Sequence, residues 1–120
     1  MGKILIVDDS SLIRSVASTA VKDAGHEPIV AEDGQDGLNM LADHKFDIIF
    51  SDVNMPIMGG LEMVEKIKQM DAYKFIPIIM LTTESSSDLK AKGKALGVSA
   101  WMLKPFNKSK FTMVIKKLIA

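Results

Sequence analysis

A doubly wound α/β fold, with a parallel sheet and helices on both of its faces, is what the 120-residue sequence predicts. Short β-branched runs with no helical period recur five times, and a helical pattern fills each gap between them. No repeat, low-complexity tract or Pro/Gly/Ser-rich linker interrupts the alternation, so the whole chain reads as one domain. Strict alternation of strand and helix implies parallel strands joined by right-handed crossovers, which covers both faces of the sheet.

The first strand is Lys3–Val7, KILIV. Behind it, Leu12, Ile13, Val16, Ala17, Ala20, Val21 and Ala24 keep an i, i+3/i+4 rhythm, with Ser10 and Ser11 as N-cap candidates and Gly25 as the stop. Residues 28–31 form the second strand and 34–44 the second helix; residues 47–51 and 61–70 are the third pair. The fourth strand spans 76–81, and its helix, 86–96, opens on a Ser cap, is closed by Gly97 and is weakened by Gly93. Residues 99–103 are the fifth strand, and 107–119 are a last helix capped by Asn107.

Composition narrows the class. With 48% hydrophobic residues, the chain can build one core that buries roughly two-thirds of its unfolded surface. There is no cysteine, hence no disulfide or thiolate metal site, and a reducing, cytoplasmic setting is expected. The longest apolar runs are about five residues, against roughly 18 for a bilayer span. Met1-Gly2 opens like a myristoylation signal, but Ile6 stands where Ser or Thr is required. The net charge of zero hides an asymmetry: residues 1–86 carry 7 Lys/Arg against 14 Asp/Glu, and residues 87–120 carry 8 against Asp88 alone. The two segments are therefore −7 and +7.

In a doubly wound sheet, ligands gather outside the carboxyl ends of the strands. Here those ends deliver Asp8-Asp9 after the first strand, Asp52 after the third, Thr82-Thr83 after the fourth and Lys104-Pro105 after the fifth. Any one of them could be an ordinary loop residue or cap. Together they form a polar cluster in which three carboxylates repel one another and want a cation. An oxygen-only donor set without His or Cys suits one Mg²⁺, which points to phosphoryl chemistry. A carboxylate nucleophile attacking a phosphoryl group needs the transferring oxygens neutralised, a role for Lys104 and the metal, while Thr82 offers a hydroxyl.

VDD at the first strand end, SDVNMPIMGG at the third, MLTTE at the fourth and LKPF at the fifth resemble the receiver domains of two-component response regulators, in order and over the whole chain. Among these, the single-domain chemotaxis regulators are the most similar. The resemblance implies a flavodoxin-like sheet in the order 2-1-3-4-5. It makes Asp52 the phosphoacceptor, Asp8 and Asp9 the acidic pair that holds Mg²⁺ with Asp52, and the main-chain carbonyl of Asn54 a further ligand. It makes Thr82 and Lys104 the switch and phosphate-sensing residues, with a cis Lys104–Pro105 bond aiming the ammonium inward. Trp101 stands where many members carry a Tyr that swings inward on activation; an indole has only an N–H donor, which makes its burial costlier. The resemblance implies that Thr83, bulkier than the Ala often found there, narrows access to Asp52, and that Asn54 and Glu84 resemble positions that set the lifetime of the acyl phosphate.

The chain stops just after the last predicted helix, so its output is expected to be a binding event by a monomer. The basic segment supplies the face: Lys90, Lys92, Lys94, Trp101, Lys104, Lys108, Lys110, Lys116 and Lys117 on the fourth helix, fifth strand and fifth helix. The resemblance implies a chemotaxis-type histidine kinase as phosphodonor, the flagellar motor switch or another acidic segment as target, and a phosphatase as a further partner. A stand-alone phosphorelay or phosphate-sink receiver would have the same site. A haloacid-dehalogenase-like phosphatase would want a second carboxylate two residues after the nucleophile, where this chain has Asn54. A flavodoxin-like FMN binder would want a phosphate cradle where Asp8-Asp9 would repel the ligand. Nucleic-acid binding lacks a helix-turn-helix signature and interleaved aromatics, and no membrane association is expected.

Overall fold

The computed structural model describes residues 2–83, 87–104 and 106–119. The elements run β1 (Lys3–Val7), α1 (Ser11–Asp23), β2 (Glu27–Ala31), α2 (Gly34–Asp43), β3 (Ile48–Asp52), α3 (Gly60–Ile67), β4 (Ile78–Thr82), α4 (Ser87–Leu96), β5 (Ala100–Leu103) and α5 (Lys108–Leu118). The five strands form one parallel sheet in the order β2-β1-β3-β4-β5. Among the described residues, no helix is long and apolar enough to cross a membrane.

Because strand side chains alternate, each buried strand feeds two cores. Ile4 and Ile6 of β1 pack with Ala17, Ala20 and Val21 of α1 and with Phe111 and Ile115 of α5. Leu5 and Val7 face the other way, onto Leu41 of α2 and Met63, Val64 and Ile67 of α3. Phe50 stacks on Phe111 with centroids 4.2 Å apart, tying the middle strand to α5.

Local signals set most boundaries. Ser10 Oγ accepts the Ile13 N–H at 3.3 Å, so Ser10 is the cap and Ser11 the first helical residue. Asn107 Oδ1 accepts the Lys110 N–H at 2.7 Å, and Asp33 caps α2 in the same way at 2.8 Å. Gly25 and Gly97, both at φ +89°, stop α1 and α4 in the left-handed conformation that favours glycine. The Ser cap expected at position 86 lies outside the described residues.

Several boundaries shift from those read in the sequence. Asp52 and Thr82 are the last residues of β3 and β4 rather than the first residues after them. The third helix ends at Ile67 instead of reaching 70: the Gln69 and Met70 N–H groups bond the carbonyls three residues back, of Lys66 (3.2 Å) and Ile67 (3.0 Å), and the Lys68 ammonium fastens the turn that follows to the carbonyls of Lys74 (3.1 Å) and Ile76 (3.3 Å). That turn buries Tyr73, whose hydroxyl donates to the His44 carbonyl at 2.6 Å.

Candidate functional site

Register carries the predicted residues to one edge. Val7 pairs with Ser51, so Asp8 and Asp52 emerge side by side from β1 and β3. On the other flank of β3, Thr82 pairs with Leu103, and the Lys104 N–H donates to the Thr82 carbonyl at 2.8 Å. All four buried polar side chains among the described residues, Asp8, Ser51, Asp52 and Thr82, lie at or next to this edge.

Asp8 is fully buried. Its Oδ1 accepts the Ser10 N–H at 2.9 Å and its Oδ2 accepts the Lys104 ammonium at 2.7 Å. Lys104 Nζ also lies 3.3 Å from Asp52 Oδ1, which accepts the Val53 N–H at 2.8 Å as well. The same lysine therefore bridges the two carboxylates, with only 12% of its side chain exposed.

Burial, and then the negative charge of Asp8, push the Asp52 carboxyl up from 3.8 to about 6; Lys104 and the Val53 N–H pull in the opposite direction. Asp9 is exposed, and one carboxylate oxygen from each of Asp8, Asp9 and Asp52 lies within 4.8 Å of the others. One ammonium does not balance three carboxylates. An excess of negative charge on hard oxygen donors, without nitrogen or sulfur ligands, fits Mg²⁺, which binds through few carboxylates and keeps waters.

The loop that follows Asp52 is tightly fastened. Gly60 N–H donates to the Val53 carbonyl at 2.8 Å, and Gly34 N–H to the Met58 carbonyl at 3.0 Å. Met58 N–H donates to the Pro56 carbonyl at 2.7 Å, a three-residue γ-turn centred on Ile57 at φ +67°. For a β-branched residue this backbone costs about 1–2 kcal/mol, and Ile57 gains no burial in return, being 83% exposed. Asn54 is exposed at the start of this loop and Thr83 is exposed after β4. Glu84 and Pro105, and with Pro105 the expected cis bond, lie outside the described residues.

Trp101 is half-buried on β5, against the core under α2, α3 and α4. Its indole lies against Gly93 of α4: a Cβ at Gly93 would come 3.0 Å from Cε2 and 3.2 Å from Nε1. The glycine that weakens α4 by roughly 1 kcal/mol relative to alanine is thus the seat of the indole.

Lys90, Lys92 and Lys94 on α4, and Lys108, Lys110, Lys116 and Lys117 on α5, are exposed, whereas Lys104 is turned into the site. The basic face is less uniform than the charge count suggests. Lys108 pairs with Asp23 of α1, and Lys92 shares a groove of about 540 Å³ with Leu61, Glu62 and Glu65 of α3.

Sequence reasoning missed Arg14, whose Nη1 donates to the Asp8 main-chain carbonyl at 2.7 Å while its Nη2 lies 3.9 Å from Glu32 Oε1. An arginine one turn into a helix that starts at the strand ends was the available signal. It missed the strain at Ile57 altogether, since sequence carries no φ.

A doubly wound sheet with an acidic cluster and one lysine at its carboxyl edge defines a class of protein, and the whole chain can be set against it. Residues 4–116 match the response regulator receiver domain, and the chain belongs to that family. It is similar to the chemotaxis protein CheY4 of Vibrio cholerae, with a TM-score of 0.95 at 44% identity over 99% of both chains. It is 39% identical to protein PilG of Pseudomonas aeruginosa, over 95% of this chain and 84% of that protein. It is 32% identical to the chemotaxis protein CheY of the same organism, over 97% and 94%. The chain spans about half the length of some other relatives, such as the transcriptional regulatory protein PhoB of P. aeruginosa, 34% identical over 97% of this chain and 51% of that one.

Proposed function

We propose that the protein is a phosphoacceptor switch rather than a turnover enzyme, and that Asp52 takes a phosphoryl group from a chemotaxis-type histidine kinase. The observation that supports this best is the Lys104 ammonium held between Asp8 and Asp52 within a cluster of three carboxylates.

In the transfer step, an Asp52 carboxylate oxygen attacks the phosphorus of a phosphohistidine, the P–N bond breaks, and the imidazole leaves with the bonding pair. The product is an acyl phosphate on Asp52. With its carboxyl titrating at about 6, Asp52 is mostly ionised and nucleophilic at neutral pH. Asp8, Asp9, Asp52 and the Asn54 main-chain carbonyl would hold Mg²⁺, which neutralises charge on the transferring phosphoryl oxygens. Lys104 is already within hydrogen-bonding distance of Asp8 and at 3.3 Å from Asp52, and exchanges carboxylate for phosphoryl oxygen with little movement. Thr82, buried at the end of β4, donates its hydroxyl to another phosphoryl oxygen. Asn54 and Thr83, exposed on either side, govern the approach of the water that hydrolyses the product.

The displacement of Thr82 toward the phosphoryl group is transmitted to Trp101, and through Gly93 to α4. That changes the affinity of the face formed by α4, β5 and α5 for an acidic segment, in the chemotaxis setting a flagellar motor switch protein. Acetyl phosphate, with and without Mg²⁺, should add one phosphoryl mass to the wild type and none to Asp52→Asn. Absence of an adduct that needs both Mg²⁺ and Asp52 would overturn the proposal.

A further inference from the structure

Of the three carboxylates, Asp8 and Asp52 are gripped by named partners, whereas no hydrogen bond or ion pair among the described residues holds the exposed Asp9 side chain. What aims Asp9 is its backbone. The peptide plane that precedes it is the one carrying the Asp8 carbonyl, and at this point the chain has left the sheet: the Asp8 N–H makes the last bond, to the Ala31 carbonyl at 3.1 Å. Arg14 takes over where the ladder ends, donating Nη1 to the Asp8 carbonyl at 2.7 Å. Its second nitrogen leans toward Glu32, and its side chain is only 18% exposed, so the guanidinium is not a loose surface group. Its own backbone is fixed by α1, with the Arg14 N–H on the Ser10 carbonyl at 3.0 Å.

We propose that Arg14 is a positioning residue for the metal site: together with the turn in which Asp8 Oδ1 accepts the Ser10 N–H, it fixes the Asp8–Asp9 peptide plane and so orients Asp9, whose side chain has no hydrogen-bond or ion-pair partner among the described residues. This rests on the Mg²⁺ reading above and adds to it a residue that touches neither metal nor phosphoryl group. A partner that orients a metal ligand is worth about tenfold in metal affinity. Charge alone predicts the opposite sign, because removing a nearby cation should tighten the binding of another.

Calorimetric titration of the whole chain with MgCl₂ separates the two. Arg14→Lys keeps the charge but cannot span the carbonyl and Glu32, and its Mg²⁺ Kd should rise about tenfold. Arg14→Gln removes the charge as well, and should also bind more weakly; it serves as the second variant should Arg14→Lys fold poorly. In an Asp9→Asn background, Arg14→Lys should cost little more, since the residue it positions is no longer a carboxylate. Wild-type affinity in Arg14→Lys, tighter binding in Arg14→Gln, or a full additive loss in the Asp9→Asn background would each overturn the role. A flat titration of the wild type would sink the metal site itself, which is a different failure.

Discussion

The two edges of the sheet are built from the same strands and handle charge in opposite ways. At the amino edge, polar groups among the described residues are matched by local hydrogen bonds. Asp47 accepts the Lys3 N–H at 3.0 Å, the Glu27 N–H finds the Gly2 carbonyl at 2.9 Å, the Gly2 N–H donates to His26 Nδ1 at 2.8 Å, and Tyr73 reaches the His44 carbonyl. At the carboxyl edge, two carboxylates are buried beside each other, one lysine serves both, and a β-branched residue is held at φ +67°. One edge holds the fold together. The other stores repulsion and strain that the fold supports, as expected of a site whose affinity for a cation and a phosphoryl group comes from groups that are poorly neutralised without them.

Removing the cation should sharpen that contrast most. In Lys104→Met the buried Asp8 and Asp52 lose their shared counter-charge, and the metal-free protein should lose about 3 kcal/mol of stability, the range for breaking a buried pair. The loss is limited by Asp52 taking up a proton, since Lys104 is one of the groups that pulls its carboxyl down. Chemical denaturation in EDTA and then in MgCl₂ reads the effect; Mg²⁺ should restore most of the loss, and equal losses in both would mean that the carboxylates do not share the metal.

Asp52→Asn should do the reverse. The folded-state carboxyl titrates at about 6 against an ordinary 3.8, so the folded protein holds this proton more tightly than the unfolded chain. Its contribution to stability is complete below about pH 4 and is lost as pH rises through 6. At pH 7 the ionised group is therefore a cost, and replacing it by a neutral amide of similar shape should raise metal-free stability by about 2–3 kcal/mol. Below pH 4 the gain should vanish. A gain that is flat across that window would place the destabilisation in packing rather than in charge.

That these residues could be read from the chain at all has a physical cause. Buried parallel strands appear as apolar runs, and the polar residues that close each run or directly follow it lie at or next to the carboxyl edge. Asp8, Asp9, Asp52, Thr82 and Lys104 were legible for that reason. Groups that act through tertiary geometry were not. Gly93 reads as a defect in a helix until Trp101 of β5 is seen lying on it. Arg14 reads as one more charge on α1 until its fork is found on the Asp8 carbonyl. The third helix reads three residues too long because its apolar rhythm runs on into a tighter turn, fastened by Lys68 and Tyr73, that carries no Gly or Pro to mark it.

The smallest change tests the amino edge. Tyr73→Phe removes the hydroxyl that donates to the His44 carbonyl at 2.6 Å and approaches the Leu41 carbonyl at 3.4 Å, with the ring left buried under α2. Its hydroxyl bonds go to the end of α2, not to the carboxyl edge. The cost should be about 1 kcal/mol, the net value of one hydrogen bond whose acceptor is then partly stranded, and it should be the same with and without Mg²⁺. Denaturation midpoints in EDTA and MgCl₂ give the cost, and titration gives the metal affinity, which should stay at the wild-type value. If the Mg²⁺ Kd moves with Tyr73, the two edges are not independent. The strain at the carboxyl edge would then be supported through the length of β3 rather than by Lys104, Arg14 and the loop after Asp52, and the contrast between an edge that holds and an edge that stores would have to give way to a single coupled sheet.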